Sequence, residues 1–274
     1  MRLPAFLAAL IAAAAAPSVL GLSPYALHIL SLTATFAIPA IGLDLMLGHA
    51  GLVSLGHAGF VGIGAYALGI LTVRAGWTFW QALPVAVLLP ALAGAAIGAL
   101  CLRLRTHFFM IVTLAFGLIL HAVMNNWEAL TGGPAGLPGI PRPEGAAVFG
   151  LAMGFRRLAD FTSLALGLTV VALAASRLLV RSDFGRLLAA MRQDEVLAAA
   201  RGVNVTACKV AAFALGSAFA GLGGALKASF LRVAAPASFE MLESINLVLM
   251  VIVGGAGKLF GPVLGALLFV ALPE

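Results

Sequence analysis

The chain has 274 residues, 62% of them apolar and only 9% charged. A soluble domain carries ~25% charged residues, so a water-covered fold is excluded and lipid must cover this surface. The formal charge of +6 does not point to nucleic acid, because the basic residues sit in short loops between apolar runs, where they orient a membrane protein.

Apolar runs long enough to cross a membrane need about 20 residues each. In chain order they fall at 3–22, 27–48, 50–73, 82–102, 107–126, 158–179, 209–227, 241–256 and 258–273. The expected fold is therefore all-α: a polytopic integral membrane protein with about 8–9 transmembrane or re-entrant helices. In the first run, Arg2 and the alanine-rich core resemble a signal peptide, but a multispanning protein needs no cleavage and an uncleaved first helix is favoured. The third run contains GLVSLGHAGFVGIGAYALG (51–69), with six glycines in nineteen positions. Gly62-Ile-Gly64 begins a dinucleotide-like pattern. It lacks a preceding strand and a downstream acid, and no Gly-Lys-Ser/Thr ending occurs, so no nucleotide site is read.

After the fifth run comes TGGPAGLPGIPRPEG (131–145), with nine Gly or Pro residues in fifteen. It can be neither helix nor central strand, and it lies in a loop spanning 127–157. The second polar stretch, RSDFGRLLAAMRQDEVLAAARGVNVTACK (181–209), is different. Ser182 or Asp183 can cap a helix, Arg186 to Ala200 are good helix formers, and Gly202 suits its stop. Asn204 or Thr206 can cap the next run. One charged helix between two spans suggests a docking element, with Leu187 and Met191 filling a partner's groove and Arg192, Asp194 and Glu195 forming its polar rim. The bland alternative is a solvated loop. The last two runs are short and meet at Gly257, so one of them is expected to be broken or re-entrant.

Placing the N-terminus inside puts ten basic residues on the cytoplasmic side and six outside, with six of the ten between 177 and 209. The expected orientation is N-terminus cytoplasmic, with 181–209 inside and 127–157 outside. Cys101 and Cys208 read as small packing residues. Two isolated cysteines make no metal framework, and no cofactor motif is present.

Five stretches then resemble one known family: GLDLMLGHAGLVSLGHAGFVGIGAYA (42–67), LRLRTHFFMIVTLAFG (102–117), NNWEALTGGPAGLPGIP (125–141), SDFGRLLAAMRQDEVLAAARGVNVTACKVAAFALGSAFAGLGGAL (182–226) and MVIVGGAGKLFGPVLGALL (250–268). In this order they are similar to the permease subunits of branched-chain amino-acid ABC importers, the LivM family, over nearly the whole chain from Ile38. The pattern departs at Leu118, where the family often has glutamate, and at Cys208, which replaces a usual aromatic.

The resemblance implies a single permease domain (1–274) in the cell inner membrane, without catalytic residues or cofactor. It would work beside a second permease subunit, two cytoplasmic ATPases and an extracytoplasmic substrate-binding protein. The 181–209 segment would couple to the ATPases through Arg186, Leu187, Met191, Arg192, Asp194, Glu195 and Gly202. Beside the path, the glycines permit tight packing and irregular backbone. Ser54, His57, Gly59, Gly62 and Tyr66 are the path candidates, with plain packing as the other reading of His57. Branched-chain amino acids are the default substrate, with urea, short amides and other amino acids handled by related permeases. An ion-coupled secondary transporter is the alternative, although mid-span acids are nearly absent. No arrangement of nucleophile and base or of paired carboxylates suggests an enzyme.

Overall fold

Ser23 starts the first long helix. Its hydroxyl accepts the Ala26 N–H at 3.3 Å, and Pro24 supplies a φ suited to the first turn. This helix, α1 (Pro24–Asp44), continues through a π-helical turn at Leu45–His49, a geometry that recurs at functional positions. The structure is a computed structural model, and it describes residues 17, 22–101, 106–144, 146–148, 151–153, 155 and 157–272. The expected run at 3–22 therefore lies almost entirely outside the described residues.

The helices that follow are α2 (His57–Val73), α3 (Phe79–Cys101), α4 (Thr106–Asn126), a single turn α5 (Glu128–Thr131), α6 (Leu158–Arg181), α7 (Asp183–Gln193), α8 (Glu195–Ala200), α9 (Val205–Leu231), α10 (Met241–Gly254) and α11 (Gly261–Ala271). Among the described residues six helical stretches are long and apolar enough to cross a membrane: 24–49, 79–101, 108–126, 158–181, 205–231 and 236–254. Two shorter apolar helices, α2 and α11, accompany them. The protein is an all-helical, multi-pass membrane protein.

The 27-residue α9 is about 40 Å long at 1.5 Å per residue and forms the axis, packing on α1, α2 and α3. Small residues let the backbones close in, as lipid requires of helix contacts. At the crossing of α2 and α9, a Cβ on Gly64 would overlap the backbone of Gly221. Burial separates centre from rim: in their most apolar windows α1 is 67% buried and α4 only 17%. α1 is thus enclosed by protein, whereas α4 turns Ile111 and Ile119 out of the bundle.

At the end of α9, two loops close over α2. Strand β1 (Leu137–Pro138) pairs antiparallel with a later strand at Val233–Ala234, while β2 (Ala146–Val148) and β3 (Leu151–Met153) make a separate hairpin. The expected loop at 131–145 is indeed turn-rich, with a 3₁₀ turn at Gly133–Ala135. Its pairing across about a hundred residues was not foreseen. The Arg74 guanidinium donates to the Ala129 carbonyl at 2.6 Å, and the Trp80 indole N–H donates to the Glu144 carbonyl at 3.2 Å, fastening this loop to the ends of α2 and α3. Beneath it, buried Lys227 pairs with Glu243, donates to the Ser238 carbonyl and lies 4.7 Å from the Phe36 ring centroid. This pins the end of α9 to the start of α10.

Two expected elements require correction. The run at 50–73 is helical only from His57; Gly51 has φ +70 and residues 51–56 are not helical. The single helix expected over 186–200 is two helices, broken at Asp194. That residue is extended (φ −156, ψ 108), and its carboxylate accepts the N–H groups of Val196 and Leu197 at 2.9 and 3.0 Å. Aspartate competes with helical backbone in this way and favours caps over helix interiors.

Candidate functional site: a broken helix and a braced surface segment

Residues 51–56 pass between apolar helices without helical hydrogen bonds, and such backbone survives at membrane depth only where protein satisfies it. The Leu52 N–H donates back to the Met46 carbonyl at 2.9 Å. Leu55 N–H donates to the Thr113 hydroxyl of α4 at 3.2 Å, and Ala58 N–H donates to the Ser244 hydroxyl of α10 at 2.9 Å. Helices α4 and α10 thereby hold the start of α2 in place. Sequence reasoning missed both hydroxyls. The available signal was a lone Thr or Ser in an otherwise apolar run.

The five path candidates do not share one open cavity. His57 is fully buried, with Nε2 3.2 Å from the Pro39 carbonyl. A carbonyl can only accept, so Nε2 carries the proton and Nδ1 is the bare acceptor. Ser54 Oγ, His57 Nδ1 and Tyr66 Oη are buried without a hydrogen-bond partner among the described residues. Tyr66 stands edge-on to Phe239 at 6.1 Å between ring centroids. A Cβ on Gly62 would press on the Met124 thioether, and one on Gly59 would lie 2.8 Å from the Leu120 side chain. Only Gly59 borders a crevice, shared with Leu114 and Gly117 of α4 and Met241 and Ser244 of α10. Its volume of about 10 Å³ is room for roughly one water. In this conformation the crevice is closed to anything larger.

The surface segment differs from its expected form in where its side chains point. Leu188 and Met191 are turned inward, with Met191 only 2% exposed, and Leu187 is half-buried. Met191 is therefore core, because α7 lays its apolar stripe on the bundle. The outward apolar residues are Val196 (80% exposed) and Leu197 (55%) of α8.

The charges expected on a rim also have intramolecular partners. Asp194 caps α8. Glu195 pairs with buried Lys209 of α9 at 2.5 Å. Arg192 sends its guanidinium to the Gly48 carbonyl in the π-helical turn. Arg186 pairs with Asp183 on the exposed face. Gly202, at φ +85, ends the segment, and the Asn204 side chain accepts the Ala207 N–H at 3.0 Å to start α9.

The Arg192 contact belongs to a larger junction. Asp44 Oδ1 accepts the Gly257 N–H at 2.7 Å, and His49 Nδ1 lies 3.3 Å from the Asp44 carbonyl and 3.8 Å from Asp44 Oδ2. Three separate pieces of chain meet here: α7, the π-helical turn that ends α1, and the loop between α10 and α11. A displacement of α7 acts on the other two through Arg192, Gly48 and Asp44.

Residues 25–274 match the family model described as "Branched-chain amino acid transport system / permease component". The chain belongs to that family. It is similar to the high-affinity branched-chain amino acid transport system permease protein LivM of Escherichia coli (strain K12), with 35% identity over 90% of this chain and 62% of the relative. The corresponding LivM of Salmonella typhimurium (strain LT2) is 34% identical over the same shares. The chain thus spans about three-fifths of the length of the curated relatives it matches. No solved structure matches it. Both the broken α2 and the α7–α8 segment fall inside the stretch that the permease family model covers.

Proposed function

We propose that this chain is the transmembrane permease subunit of an ATP-binding-cassette importer that carries branched-chain amino acids, or related small polar or amino-acid solutes, across the cell inner membrane. In this reading it hydrolyses nothing itself. It pairs with a second permease subunit, receives solute from an extracytoplasmic binding protein and is driven by two cytoplasmic ATPases. The observation that carries the proposal is the family match along 25–274. The geometry supports it in two ways. Helix α2 starts inside the bundle beside a closable crevice, and α7–α8 form an exposed segment tied by Arg192 to the end of α1.

With the N-terminus cytoplasmic, α7 and α8 face the ATPases, and α8 offers Val196 and Leu197 as the apolar contact. Arg186 adds a charge beside it, while Arg192, Asp194, Glu195 and Gly202 keep the segment stiff enough to transmit force. Ser54, His57, Gly59, Gly62 and Tyr66 lie around the broken helix, where the path opens once α4 or α10 moves.

The test is reconstitution. The complex isolated through a tag on this chain should take radiolabelled leucine into liposomes only with ATP and the binding protein. The chain alone should not accumulate leucine under a proton or sodium gradient; accumulation there would replace the proposal with an ion-coupled carrier. Orientation is tested on intact cells: an impermeant thiol reagent should label Ala135→Cys and leave Cys208 unlabelled. The reverse pattern would put α7 and α8 outside.

A further inference from the structure

A cavity of about 250 Å³ lies at the end of α6, lined by His49, Ser176, Arg177, Val180, Arg181, Gly257 and Leu259. Three of these seven residues are basic and none is acidic. Arg177 and Arg181 are four residues apart on a helix, so both side chains project from the same face of its last turn. Asp44, the nearest acid in the neighbouring junction, is 4% exposed and already accepts the Gly257 N–H. The carbonyl end of α6 subtracts roughly half a charge from this field, less than either guanidinium adds. The cavity is therefore a net cationic hollow.

Its surroundings are apolar. Leu178 (58% exposed) and Phe260 (44% exposed) stand on the surface beside it, on α6 and on the loop that contributes Leu259. Helix α6 is one of the membrane-length helices and Arg181 is its last residue, so the cavity sits where hydrocarbon gives way to headgroups. A hollow of this size has space for several waters, enough for a phosphodiester.

We propose that this cavity binds the phosphate of an anionic membrane lipid, with Arg177 and Arg181 as its donors and the acyl chains running along Leu178 and Phe260. Basic pockets between transmembrane helices take anionic headgroups in this way. A soluble anion would gain from the two guanidiniums but nothing from the apolar flank. Because Gly257 and His49 line the cavity and also belong to the Asp44–Arg192 junction, a bound headgroup braces the loop between α10 and α11.

The experiment uses the purified chain in a neutral detergent, with native mass spectrometry and thermal unfolding as readouts. Phosphatidylglycerol should be retained as a one-to-one adduct and raise the unfolding midpoint, whereas phosphatidylcholine should do neither. Each basic group near an anionic lipid contributes about fivefold in affinity. Arg181→Gln, at an exposed side chain, should weaken retention roughly 5-fold, and Arg177→Gln with Arg181→Gln roughly 30-fold. Arg201→Gln, away from the cavity, should change nothing. Equal retention of both lipids, or undiminished phosphatidylglycerol binding by Arg181→Gln, overturns the proposal. Stabilisation by inorganic phosphate alone that matches phosphatidylglycerol would make this a soluble-anion site and overturn the lipid assignment.

Discussion

Residues 50–58 and 182–204 both interrupt the run of long helices, and they satisfy their exposed backbone by opposite means. In the first, the N–H groups of Leu55 and Ala58 find acceptors on Thr113 and Ser244, 58 and 186 residues away in sequence. In the second, Asp194 caps residues two and three positions on, and Asn204 a residue three positions on. The membrane break is held by its neighbours, whereas the surface segment folds by its own local rules. This difference follows from the solvent. Water satisfies an unpaired group at the surface, but in the bilayer interior only protein can.

The sharpest way to break the comparison is to remove the distant acceptors. Thr113→Val and Ser244→Ala each leave a buried N–H without a partner, at a cost of about 1–3 kcal/mol apiece. The double variant should therefore lose about 2–6 kcal/mol, seen as a lower unfolding midpoint in detergent and reduced folded yield. Thr113→Ser, which keeps the hydroxyl, should lose much less. A double variant as stable as the parent would mean that the broken segment supports itself, and the contrast with 182–204 would disappear.

The next effect tests force transmission at the Arg192 junction and rests on the proposed coupling role. Arg192→Gln removes the charged donor to Gly48, and Gly202→Val forces a β-branched residue into a φ of +85. Each should lower transport more than ~10-fold, equivalent to about 1.4 kcal/mol of productive coupling. ATP hydrolysis by the assembled complex and membrane insertion should stay near normal. Parallel loss of hydrolysis and transport would instead mean that the variants disrupt assembly, and unchanged transport would remove Arg192 from the coupling route.

The same contrast explains what could be read from the sequence. Caps and stops are local, so Gly202 and Asn204 were legible, as was the turn-rich character of 131–145. Apolar length alone gave the long helices. The break before His57 was not legible, because 50–73 is apolar throughout and nothing local separates Gly51–Gly56 from a glycine-rich helix. Thr113 and Ser244 look like any hydroxyl in an apolar run until α4 and α10 are placed against α2. Arg192 was misjudged for a related reason: a charge on an amphipathic helix reads as outward, yet its long side chain reaches back to a free carbonyl in the π-helical turn. The extra break at Asp194 was readable in principle from its cap preference, but the good helix formers on both sides masked it.

A smaller effect belongs to that cap. Asp194→Ala should cost about 1 kcal/mol, within the usual 0.5–2 for a lost cap, and Asp194→Asn close to nothing, since asparagine caps equally well. The loss should be local, appearing as faster amide exchange at 195–200 with α9 unaffected. If Ala and Asn behave alike, α8 is held by the Glu195–Lys209 pair and the segment is less self-sufficient than the comparison states.

The smallest stability effect is expected at Arg186. Its pair with Asp183 is highly exposed, with side-chain exposures of 71% and 86%, and such surface pairs contribute about 0–1 kcal/mol. The two residues are three apart on one helix face and water competes for both, so Arg186→Gln should leave the unfolding midpoint within error, at low and high salt alike. Arg192 points into the junction while Arg186 points away from the chain, so the two arginines of α7 separate internal bracing from outward contact. If α7 and α8 dock on an ATPase, Arg186→Gln should weaken co-purification of that subunit in a salt-dependent way while the isolated chain stays as stable as before. A measurable loss of stability in the isolated chain would show that Arg186 braces the bundle as Arg192 does. Unchanged co-purification at every salt concentration would remove it from the contact and leave Val196 and Leu197 as the docking residues.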